Sequence, residues 1–139
     1  MINKIARSVA LSLILFASPA LAQLAPPQPK TQNGVTFVSG GVDSDNMKAM
    51  HEIAKNYNVQ LLFAGKGSGE YLADVQVRLV GAHEKPIIDT LADGPYFLAQ
   101  LEPGRYQLTA TYNNQPIQEV IEVPAHGAAA KTIYWAPQQ

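Results

Sequence analysis

Residues 93–112 read DGPYFLAQLEPGRYQLTATY, and the second half carries the clearest structural signal in the chain. In 105–112 every other residue is apolar. Tyr106, Leu108, Ala110 and Tyr112 fall on one side of an extended chain, and Arg105, Gln107, Thr109 and Thr111 on the other. Successive side chains of a strand point to opposite faces, so this spacing predicts a strand with one oily and one wet face. The Asp93-Gly94 and Pro103-Gly104 pairs bracket the preceding run, 96–101, as turns that use glycine at positive φ.

The same period of two recurs on both sides of this stretch. In 74–80, Val75, Val77 and Leu79 alternate with Gln76 and Arg78. Further strands are predicted at 35–38, 59–64, 87–91 (with an ambiguous register), 117–123 and 131–135. Turns are predicted at His83-Glu84-Lys85-Pro86 and at Asn113-Asn114, the latter closing a hairpin. Glu119 shares a face with Ile121 and Val123, a conflict that a strand end near water would relieve. Only 43–58 has a helical period. Asp43 or Ser44 caps it, and Met47, Met50, Ile53 or Ala54, and Tyr57 form its stripe, placed to pack on a sheet edge or to close one end of the core.

The fold class expected is mainly β: an antiparallel sandwich of seven to eight strands, immunoglobulin-like or transthyretin-like, with one short N-terminal helix. A closed barrel is the alternative. A parallel sheet is not expected, since no helices lie between the strands.

The N-terminus has the order of a secretory signal peptide, 1–22. Lys4 and Arg7 precede the apolar run 9–17, Pro19 breaks it, and Ala20-Leu21-Ala22 is a small-x-small cleavage site. The run is too short to span a bilayer, and no later segment is apolar enough to do so. Residues 23–34, with Pro26, Pro27 and Pro29, read as a flexible spacer, and 35–139 as one domain. The expected location is periplasmic or secreted.

Composition narrows the chemistry. The 139 residues hold no cysteine, which excludes disulfides and thiolate sites. Without Lys4 and Arg7 the chain has eight basic and eleven acidic residues, a net charge of −3 and no field suited to nucleic acid. His51, His83 and His126 lack metal-ligand spacing. The loop Gly65-Lys66-Gly67-Ser68-Gly69 is not a phosphate loop: its lysine precedes glycine rather than Ser or Thr, and a strand follows. Ser39 and Ser68 lack a nucleophile elbow. Asp43, Asp45, Asp89, Asp93 and Glu102 fall in turns and caps. No catalytic, cofactor-binding or metal site is assigned, and no cofactor is expected.

The order in 93–108 (Asp-Gly, an aromatic pair, Leu, a Pro-Gly turn, a Tyr strand) resembles the carboxypeptidase regulatory-like domains, which are small transthyretin-like sandwiches. The likeness runs over about 73–135. The helix near Met47 lies outside that pattern, and Pro95 departs from it. The resemblance implies a sandwich in which Tyr106 buries its ring and bonds its hydroxyl to nearby backbone. Related enzymes that open a purine-derived ring end in a Tyr-Arg-Gly-Ser-like tail. This chain ends Tyr134-Trp135-Ala136-Pro137-Gln138-Gln139, so that activity is not implied.

Three functional readings follow. The first is an exported, non-catalytic binding or accessory module of the bacterial cell envelope, with an envelope protein or polysaccharide as partner. The second is a small periplasmic hydrolase built from dispersed His and Asp. The third is an assembly protein that pairs through an edge strand. Candidate contact groups are Arg78 and Arg105 with Gln76, Gln107, Thr109 and Thr111 on one polar face, and the aromatics Tyr71, Tyr134 and Trp135.

Overall fold

Alternating strands hide their oily faces only by stacking one sheet on another, and the computed structural model, which describes residues 26–137 and Ile14, has two sheets and one helix. The strands are β1 (Lys30–Gln32), β2 (Val35–Gly40), β3 (Val59–Gly65), β4 (Gln76–Val80), β5 (Pro86–Leu91), β6 (Tyr96–Gln100), β7 (Gly104–Tyr112), β8 (Gln115–Val123) and β9 (Ala129–Trp135). One sheet has the order β1-β2-β6-β3-β9 and the other β5-β4-β7-β8. Phe37, Leu61, Phe63 and Phe97 of the first sheet share a buried core with Val77, Leu79, Leu108 and Ile121 of the second. Burying each of these side chains is worth roughly 1.5–3 kcal/mol. No helix among the described residues is long and apolar enough to cross a membrane, and the expected signal peptide lies outside the described residues.

The face assignments of β7 hold: Leu108 and Ala110 are fully buried, while Arg105 and Gln107 are exposed. The ring of Tyr106 is only half-buried, and its hydroxyl donates to the Glu102 carbonyl at 2.7 Å. Asn113 and Asn114 both take positive φ (47° and 62°) in a two-residue turn that sets Tyr112 opposite Gln115. Of the two glycines in the turns that bracket β6, Gly104 takes positive φ (152°) and Gly94 does not. The need for glycine at position 94 is spatial, since a Cβ there would lie 2.4 Å from the Gly40 backbone.

Four further expectations change. The first sheet is not wholly antiparallel, because β3 and β9 pair in parallel, Val59 with Ala129 through Gly65 with Trp135. No crossover helix is needed, because β9 arrives from β8 of the opposite sheet. The second change concerns the spacer: Lys30–Gln32 is a strand, joined to β2 by a turn with Asn33 and Gly34 at positive φ, and it brings the strands among the described residues to nine where seven to eight were expected. Third, α1 (Ser44–Ile53), followed by a 3₁₀ turn (Ala54–Asn56), lies against the outer face of the first sheet rather than at its edge. Met50 packs there on Val38 and Leu98, with Ile53, Tyr57 and Tyr96 around them. Asp43 caps α1 by accepting from the Asn46 N–H at 2.8 Å. Fourth, Glu119 sits in mid-strand, and its inward carboxylate is met by Lys131 of the opposite sheet at 2.8 Å.

Candidate functional site

The outer face of the five-stranded sheet carries an aromatic row built by strand register. Ala64 of β3 is paired with Tyr134 of β9 on one side and, through an isolated antiparallel bridge, with Tyr71 on the other. Residues paired in register project to the same face, so two tyrosines flank one alanine. Both are 54% exposed, whereas Ala64 between them is 3% exposed. Two strand spacings separate them, about 10 Å. In the next row Leu62 is paired with Thr132 and Tyr96.

Tyr96 ties the row to the helix. Its hydroxyl lies 2.9 Å from Nε2 of His51, and the two rings meet edge to face with centroids 5.0 Å apart. Burial raises the Tyr96 pKa above the ordinary tyrosine value, and the neighbouring Tyr71 adds to the rise. Tyr96 was legible in sequence only as a strand residue. The signal that both faces of β6 are covered is its unbroken apolar run, Tyr96-Phe97-Leu98-Ala99, rather than an alternation.

Of the three aromatics singled out, Tyr71 and Tyr134 stand exposed and Trp135 does not. Trp135 is 3% exposed, lies against Phe63 and Tyr112, and donates its indole N–H to the Gln115 carbonyl at 2.9 Å. Adjacent strand residues face opposite ways, so Tyr134 outside puts Trp135 inside.

The polar set forms one face of the four-stranded sheet. Arg78 is in register with Asp89 and Thr109, Gln76 with Leu91 and Thr111, and Gln107 with Val80. Asp89 accepts from the Gln76 amide at 2.7 Å. Exposed Val120 and Leu91 interrupt this face.

The histidines are not brought together. His51 is on α1, His83 in the β4–β5 turn and His126 between β8 and β9. His83 lines a cleft of about 490 Å³ with Glu102, Arg105 and Tyr106, and the other two histidines are not among its lining residues. Among the described residues no three His, Cys, Asp or Glu side chains are placed to hold a metal ion. The acidic residues do not converge: Asp93 pairs with Lys30, 63 residues away, at 3.3 Å, Asp45 lies in the first turn of α1, and Asp89 lies within β5 rather than in a turn or cap. Residues 65–69 connect β3 to the Tyr71 bridge, closed by the Gly65 N–H on the Glu70 carbonyl at 2.7 Å.

No protein-family model matches the chain, and no curated protein matches it significantly.

Proposed function

We propose that the chain is an exported, non-catalytic binding module of the bacterial cell envelope, and that its partner is a polysaccharide laid across Tyr71 and Tyr134. The observation that carries this reading is the exposed tyrosine pair flanking buried Ala64. A tyrosine offers an apolar ring for the face of a sugar and a hydroxyl for its rim. Export rests on the leader read at 1–22, and periplasmic or secreted location follows from it. The transthyretin-like form of the sandwich belongs to the same proposal. It is supported by the hydrogen bond from the Tyr106 hydroxyl to the Glu102 carbonyl, four residues upstream and across the Pro103-Gly104 turn.

The test is retention of the mature protein, from Gln23 onward, on purified cell-wall polysaccharide and on a panel of soluble glycans in affinity gels. Replacing both tyrosines (Tyr71→Ala with Tyr134→Ala) removes about 1 kcal/mol of ring contact each, so binding weakens roughly thirtyfold. Folded protein retained by no glycan, or a double variant that binds as well as the parent, overturns the reading.

A further inference from the structure

A second recess lies around the end of β3, and its chemistry differs from that of the tyrosine row. The 65–69 loop and the β7–β8 hairpin enclose a cleft of about 270 Å³. Leu72, Tyr112 and Trp135 give it an apolar floor, and Lys66, Glu70 and Gln115 are among its polar lining. That volume is at the small end for a ligand cleft and suits one small molecule.

The rim is held by backbone. The Lys66 N–H donates to the Trp135 carbonyl at 2.7 Å, and the Gly69 N–H to the Gly65 carbonyl at 3.0 Å. The Glu70 N–H donates to Ser68 Oγ at 3.2 Å. Gly67 and Gly69 take positive φ (86° and 69°), which lets the loop close this tightly. Lys66 and Glu70 are thus rooted at the mouth of one cleft with opposite charges. They form no ion pair with each other, and the two ion pairs among the described residues involve neither.

An apolar floor with one cation and one anion rooted at its mouth selects a ligand that carries both complementary charges and an apolar part. We propose that this cleft binds a small zwitterion, a free amino acid with an apolar side chain. Its carboxylate meets Lys66, its ammonium meets Glu70, and its side chain lies on Tyr112 and Leu72. A polyanion is disfavoured by Glu70, and a wholly neutral ligand leaves both charges without a partner. This site is independent of the polysaccharide reading and stands or falls without it.

The experiment is an amide-detected NMR titration of the mature chain with phenylalanine, phenylalaninamide and N-acetylphenylalanine as probes. Phenylalanine is expected to give saturable shifts at the amides of 66–70 and at the Trp135 indole N–H. Masking either charged end weakens binding about tenfold, the size of one charge-assisted hydrogen bond. Lys66→Gln erases the preference over phenylalaninamide and keeps that over N-acetylphenylalanine, and Glu70→Gln does the reverse. Three results would overturn the proposal: no saturable shift in the folded protein, shifts centred away from the cleft, or both preferences surviving both replacements. Glycan retention measured on the same two variants stays at the parent level, so failure here is distinguishable from failure of the tyrosine surface.

Discussion

The two long sides of the paired sheets are closed in opposite ways. On one side β1 of the first sheet runs beside β5 of the second, and neutral amides close it, with one exposed ion pair, Lys30 with Asp93, at its end. Gln32 spans the backbone of Asp89, accepting its N–H at 2.9 Å and donating to its carbonyl at 3.3 Å. Asn33 donates to the carbonyls of Pro86 and Ile87. A side-chain amide here does what a neighbouring strand would do, which blunts an edge that otherwise invites another chain. On the other side β8 and β9 are closed by one charged pair, Glu119 with Lys131, both pointing inward between the sheets. The first device satisfies backbone groups, so its value does not depend on salt. The second acts through Coulomb attraction between side chains that are 36% and 39% exposed, so water and ions weaken it.

The largest expected effect comes from removing the first device whole. A chain beginning at Val35 loses β1 with its pairing to β2, the exposed Lys30–Asp93 ion pair, which contributes little, and the four bonds that Gln32 and Asn33 make to β5. At about 1 kcal/mol net per bond, less the entropy regained by the freed segment, urea unfolding relative to the chain from Gln23 shows a loss of about 3 kcal/mol. The Asp89 amide then exchanges with solvent much faster. A loss below about 1 kcal/mol would show that β1 merely lies alongside β5.

Gln32→Ala alone comes next, at about 1–2 kcal/mol, because two backbone groups lose their partner at once. The value stays the same in low and high salt. Smallest is Glu119→Ala, at about 0.5 kcal/mol in low salt and near zero at molar salt, where the screening length falls to about 3 Å. Thermal melts of both variants across a salt series test the contrast directly. If Gln32→Ala tracks salt, or Glu119→Ala does not, the distinction between the two sides collapses.

The two sides also differ in how far they could be read beforehand. Glu119 announces itself as a break in the alternation of β8, although the remedy, a lysine from the other sheet twelve residues on, does not. Gln32 announces nothing. It lies in a Pro-rich stretch without apolar period, and its role depends on β5, 57 residues away. Asn58 shows the same pattern, since its amide pairs with both backbone groups of Leu101 across 43 residues. Side-chain amides that stand in for a strand leave no local trace, because the same residue in a loop simply bonds water. The candidate surface divides likewise. The uncommitted state of Tyr71 and Tyr134 could be suspected, but their convergence on Ala64, and the cleft between the 65–69 loop and the β7–β8 hairpin, needed the register of β3 with β9.

Local and periodic features were legible in the chain itself: the strands from 35 onward, the oily faces of those that alternate, a helix start at Asp43 or Ser44, and the Asn113-Asn114 turn. These follow from steric and solvation preferences of residues a few positions apart. Tertiary structure alone decided the parallel pairing of β3 with β9, the capture of Lys30–Gln32 as a strand, the seat of the helix on the outer sheet face and the burial of Trp135 beside exposed Tyr134. Each of these depends on which distant segment wins a shared edge or face, a competition settled by packing between residues far apart in the chain.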